Sequence, residues 1–228
     1  MLIRDSLQLY REEFGKILLL GLLVVFPVQF LCLIINNYLY TYYGSTQIHV
    51  AEMFYGISIL LATSLVQIPF IKMLECYKKR EYIDFARVYG SFWEYGFVVF
   101  VMGIIYTLGV TTGTFLFIIP GLIFMVLFYT FPYVVILEKK KWWQAFKLAF
   151  QFGKKNFWKL FGIIFGFAIF EWAVEWIVHL LAFLITDRYL VIALAVMFVN
   201  MLFVPLFAFI NASFYTDWKE QNSCALKK

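Results

Sequence analysis

Residues 95–137 carry no charged side chain. The run is too apolar for a water-facing element and too long for one membrane crossing, because a helical span needs only ~20 mostly apolar residues. It must therefore cross twice, and its one strong interruption is Ile119-Pro120-Gly121. Proline disfavours helix at the residue before it and glycine frees the backbone, so a tight hairpin is expected at Pro120 and Gly121. Apolar runs elsewhere complete an expected set of six spans, at about 15–36, 50–74, 95–118, 120–137, 159–185 and 189–214.

Composition agrees with this. The chain is 64% hydrophobic and 14% charged, whereas soluble domains run near ~45–50% and ~25%. Its 28 Phe, 15 Tyr and 7 Trp residues also exclude a disordered chain. Six spans use up most of the 228 residues. The fold class expected is an all-α integral membrane protein with one membrane domain over 1–228 and no separate soluble domain. Charged and aromatic residues before the first span, with no small-residue cleavage site after it, predict that this span is retained rather than removed as a signal.

The direction of threading comes from lysine and arginine. Of the 19 basic residues, all but Arg188 fall before span one, between spans two and three, between four and five, or after six. Both termini are therefore expected in the cytoplasm, with the protein in the cell membrane. The net charge of +5 needs no nucleic acid, since a basic rim facing anionic lipid accounts for it. Cys32, Cys76 and Cys224 match no metal or redox spacing.

The basic segments are patterned. Over about 139–157, Lys140, Lys147 and Lys154 recur with Gln144 and Gln151 against Trp142, Phe146, Ala149, Phe150, Gly153 and Phe157. That is the pattern of a basic amphipathic helix in the headgroup layer. Residues 78–93 repeat it, with Arg80 and Arg87 against Tyr82, Phe85, Tyr89 and Phe92, and so do residues 2–14, with Ile3, Leu7, Tyr10 and Phe14 against Arg4 and Arg11. Each even-numbered span carries a proline followed six residues later by a polar residue: Pro69/Glu75, Pro132/Glu138 and Pro205/Asn211. Three repeats are expected, each a surface helix followed by a membrane hairpin. Lys140, Lys147, Lys154, Arg80 and Arg87 are the candidate lipid-headgroup residues, and Pro69, Pro132, Pro120 and Gly121 are structural candidates.

The segments Pro120-Gly121-Leu122-Ile123, Phe131-Pro132-Tyr133, Glu138, Ala145-Phe146-Lys147 and Lys154-Lys155-Asn156-Phe157-Trp158 resemble a poorly characterised bacterial membrane family. Its relatives include the membrane-embedded domain fused to some glycerophosphodiester phosphodiesterases. The resemblance centres on residues 115–165 and implies a domain of about six spans with no agreed activity. It does not bring phosphodiesterase chemistry, which belongs to a soluble barrel that this chain lacks.

The sharpest local constellation is Glu171, Glu175 and His179, spaced by four residues within span five. That spacing puts all three on one helical face. Glu171 falls near mid-bilayer, where an ionisable group is costly and usually faces protein or a watery cavity. Two carboxylates one turn apart repel, and sharing a proton relieves the repulsion. Three readings follow from these residues: a ligand, proton or metal site, structural pairing inside the bundle, or a solvated outer face flagged by Trp172 and Trp176. Other polar residues in the spans (Gln29, Asn36, Asn37, Ser64, Gln67 and Asn200) are expected to bridge helices. Gly109-x-x-x-Gly113 and Gly162-x-x-x-Gly166 are expected to pack within the bundle.

No nucleophile elbow, phosphate loop, paired-histidine zinc helix or Cys/His cluster occurs. The expected function is non-enzymatic, with no cofactor and no dedicated metal site. The leading expectation is an accessory or envelope factor that binds membrane lipids or a membrane protein partner. The alternative is a small transporter or permease subunit with an ion or proton site on the fifth span.

Overall fold

The computed structural model describes residues 2–43 and 48–225, and every element among them is helical. Six helices are long and apolar enough to cross a membrane: Phe14–Tyr43, His49–Lys78, Phe85–Leu116, Ile118–Glu138, Phe157–Ile185 and Tyr189–Asn222. They are called spans one to six here. An N-terminal helix, Leu2–Glu12, precedes span one, and a connecting helix, Trp142–Lys155, joins spans four and five. Six crossings bring both chain ends to one end of the bundle, called the basic end; the opposite end is the far end.

The packed core sits at the basic end. Residues 68–76 of span two, 131–136 of span four and 208–215 of span six are buried without a gap. Polar links tie the same end together. Lys78 pairs with Asp217 at 2.7 Å and Lys219 with Glu138 at 2.7 Å. Lys72 and Glu75, each only 7% exposed, pair at 2.6 Å, and Lys79 completes the carboxylate's shell. The far halves of the spans are packed more loosely.

Two spans are broken, each for the same reason. Span two is interrupted at Gln67, two residues before Pro69, and span four at Tyr129–Thr130, before Pro132. A proline inside a helix lacks an N–H and clashes with the carbonyl four residues back, so each ladder restarts with its proline in a new first turn. Span six carries Pro205 without interruption, and its Asn211 side chain donates to the Phe207 carbonyl at 2.9 Å. The third proline pair therefore does not behave like the first two.

The hairpin between spans three and four lies earlier than Pro120-Gly121. A single extended residue, Phe117 (φ −156°, ψ 139°), separates the helices, and Pro120 and Gly121 fall inside the first turn of span four. Proline is tolerated there because first-turn N–H groups have no helical partner. Gly121 instead permits close helix contact: a Cβ at this position would collide with Thr114 Oγ1 and meet Thr114 N at 2.5 Å. Gly109 lies against the Phe124 ring and Gly113 against Gly121 itself. Gly162 and Gly166 do not pack within the bundle, since a Cβ on either would meet nothing within 4 Å.

The surface-helix expectations need three corrections. Residues 78–93 are not a separate helix: 79–84 form a turn and loop, Asp84 accepts from the Arg87 N–H at 3.4 Å, and one 32-residue helix runs from Phe85 to Leu116. At 1.5 Å per residue it is about 48 Å long, against about 30 Å for the hydrocarbon core of a bilayer. The connecting helix buries Phe146, Ala149 and Gly153 of its expected apolar face, but Trp142 and Phe150 are exposed, Ala145 and Phe152 are buried instead, and the face turns to protein. Phe152 contacts the rings of Phe214, Tyr215 and Trp218, and Phe146 those of Phe128 and Phe131. Gly153 lets it sit on the Leu127 backbone. In the N-terminal helix the buried face is Ser6, Leu9 and Tyr10, with Tyr10 donating to the Leu202 carbonyl at 3.0 Å. Leu7 and Phe14 stay exposed, and the Ile3 side chain lies outside the described residues.

Candidate functional site

The far halves of spans one, two, five and six enclose a cavity of about 640 Å³. Its floor is built on the break in span two. There the Gln67 amide donates to the Tyr129 hydroxyl at 2.8 Å and its carbonyl accepts from Tyr133 at 2.6 Å. Proline forces the break, the break frees the end of a helix, and the amide of Gln67 is clamped by two phenols from span four.

Glu171, Glu175 and His179 line this cavity together with Trp172. Glu171 is the middle residue of span five, about 21 Å from its start at 1.5 Å per residue. Both glutamates are half-buried and His179 is exposed toward the far end. Glu171 acts coulombically on Tyr129, and Glu175 on both Glu171 and Tyr55. Among the described residues no three His, Cys, Asp or Glu side chains gather into a metal-binding group. The spacing of four lays the three side chains along a wall rather than around a point.

Span one supplies the facing wall through Gln29, Cys32, Asn36, Asn37 and Tyr40, and span six supplies Asn200. Gln29, Asn36 and Asn200 were expected to bridge helices, and they do not. Each has a buried side-chain oxygen with no hydrogen-bond partner, and Asn36 is only 7% exposed. A buried polar atom left unpaired costs about 1–3 kcal/mol, so three on one cavity mark a surface suited to a polar guest. Ser64 donates to the Leu60 carbonyl of its own helix at 2.8 Å. Of the six polar residues, Gln67 is the one whose side chain bridges spans. The sequence signal that was missed is the three-to-four spacing of Gln29, Cys32, Asn36 and Tyr40, which puts a polar stripe on one face of span one.

The lipid-headgroup candidates lie away from the cavity, at the basic end. Lys140, Lys147, Lys154, Arg80 and Arg87 are all exposed there. Arg87 is paired with Glu81 at 2.6 Å. Glu75 accepts a hydrogen bond from the neighbouring Lys79, which holds that ammonium above the ordinary lysine range. Cys32 and Cys76 are free thiols.

No family model, curated protein or solved structure matches the chain. Function is therefore read from the chemistry of the cavity.

Proposed function

We propose that this chain is a non-enzymatic, multi-pass protein of the cytoplasmic membrane and that it works as a small transporter or permease subunit. Its site is the far-end cavity, where Glu171, Glu175 and His179 bind an ion, a proton or a charged substrate. The observation that carries this reading is the cavity itself. Two carboxylates near mid-span line, together with the amide side chains of Gln29, Asn36 and Asn200, a space large enough for a substrate. The charge asymmetry supports cytoplasmic termini, which puts the mouth of the cavity on the outer side. Helix breaks before Pro69 and Pro132 support a repeated unit, as do left-handed residues after both spans (Arg80 at φ 55° and Lys139 at φ 54°). Broken spans beside a midplane site are a recurring arrangement in transporters.

The test is pH-driven flux in proteoliposomes. The wild-type chain is expected to collapse an imposed proton or cation gradient, and Glu171→Gln/Glu175→Gln to abolish that flux while eluting and melting like the wild type. Undiminished flux in the double variant would remove the assignment.

A second reading, an accessory or envelope factor held by membrane lipids or a membrane protein partner, is favoured by the exposed row Lys140, Lys147 and Lys154 beside exposed Trp143 and Trp158. Lys140/Lys147/Lys154→Glu is expected to lose bound phosphatidylglycerol in lipid mass spectrometry. Unchanged lipid retention counts against this reading. Membership of the bacterial family suggested by residues 115–165 belongs to the same proposal.

A further inference from the structure

Resting on the transporter reading, we infer that the substrate class of the cavity is an amphipathic organic cation, bound in competition with protons. Charge gives the first reason. Among the described residues no lysine or arginine lines the cavity, whereas Glu171 and Glu175 do, so acidic side chains line a cavity inside a protein of net charge +5. An anion finds there no basic side chain other than His179. Size gives the second. A space of about 640 Å³ lies within the ~300–1,000 Å³ range of sites for small organic molecules, and the ligating side chains do not converge on a point as a bare metal ion requires.

Lining gives the third reason. Ile192, Val196, Met197, Phe203 and Phe207 form an apolar wall that suits a hydrocarbon or aromatic body. Tyr40 and Tyr55 pack edge-to-face with centroids 6.2 Å apart near the mouth, and Trp172 stands beside the carboxylates. Such rings attract a cation that has shed water. Trp172 lines the cavity while 63% exposed on the flank of span five, so one wall borders lipid and an amphiphile has a route in from the bilayer.

Competition with protons follows from the titratable groups that face the site. Glu171, Glu175 and His179 come from span five, Cys32 and Tyr40 from span one, Tyr55 from span two and Tyr189 from span six. Tyr129 of span four lies within coulombic range. The carboxylates are the groups among these that lose an attractive charge on acidification, so a proton and the cation compete for them.

The probe is radiolabelled tetraphenylphosphonium, measured by equilibrium dialysis on the intact chain in lipid nanodiscs with empty discs subtracted. One saturable site is expected, weakened about tenfold or more between about pH 8 and pH 5 and by Glu171→Gln/Glu175→Gln, which lowers the binding free energy by about 1.4 kcal/mol or more. Glu171→Asp, which keeps the charge, is expected to retain binding, and this separates charge loss from misfolding. Ala193→Trp, which places a bulky ring on the span-six wall of the cavity and leaves both carboxylates in the sequence, is expected to lose it. Saturable binding that ignores both pH and the double substitution overturns the cation class and leaves the transporter reading standing. No saturable binding to the wild type, with gradient-driven flux intact, overturns this inference alone. Loss of both binding and flux in the wild type overturns both readings.

Discussion

Gly121 offers the most direct test of the packing. An added Cβ would collide with Thr114 Oγ1 and lie 2.5 Å from Thr114 N and 2.7 Å from Thr114 Cα. The hydroxyl contact is relieved by a rotamer change, but the other two are backbone. Ordinary contact begins near 3.4 Å, so spans three and four must part by most of an ångström at their hairpin. Overpacking of this kind costs about 1–3 kcal/mol, and alanine's better helix propensity returns about 1 kcal/mol. Gly121→Ala should therefore lose up to ~2 kcal/mol, which lowers the melting temperature by several degrees for a chain of this size. Gly162→Ala is the matched control. Nothing lies within 4 Å of its Cβ, so only the propensity gain remains and the melt should hold or rise. Thr114→Ala removes just the hydroxyl contact, so adding it to Gly121→Ala should not restore stability. The assay is thermal unfolding of detergent-purified protein followed by near-ultraviolet circular dichroism. Equal melting of the Gly121 and Gly162 variants, or full rescue by Thr114→Ala, would refute the reasoning.

Two further outcomes follow from the same packing. Gln67→Leu leaves the buried Tyr129 and Tyr133 hydroxyls without their shared partner, and an unsatisfied buried group costs about 1–3 kcal/mol. Denaturant melts should show a loss of that size, and an unchanged midpoint would mean that the floor is not clamped. Phe152→Ala removes three ring contacts onto span six at about 3–5 kcal/mol. Hydrogen exchange over residues 142–155 should accelerate, and unaltered protection would show that the connecting helix is held by lipid instead.

What the sequence revealed depended on how far each signal reached along the chain. The six spans were legible because hydropathy is summed over ~20 residues, although span three starts ten residues before its expected bound and span six ends eight residues after. Pro69 and Pro132 were legible as structural positions, but the helix breaks before them were not expected. The hairpin at Phe117 was misplaced because Pro120 marks a helix start as readily as a turn. The connecting helix shows a different limit. The alternation of lysines with Phe146, Ala149 and Gly153 marks an apolar face, but an apolar face fits lipid and a groove of aromatic rings equally well. Only the three-dimensional position of Phe214, Tyr215 and Trp218 decides between them. The candidate site was half legible. Glu171, Glu175 and His179 announce themselves by cost, whereas Gln29, Asn36 and Asn200 gain meaning only when three separate spans are brought around one space.

The concentration of packing at the basic end has a mechanical consequence. Bilayers respond to composition and tension by changing thickness and lateral pressure, and a body strains where it is least braced. The interlocked end, with its ion pairs and aromatic stack, transmits such forces without changing shape. The far halves of spans one, two, five and six have no comparable bracing, so they take up the strain. The separation of these four spans, and with it the width of the chamber they line, is thus the part of the fold that answers most to the surrounding lipid.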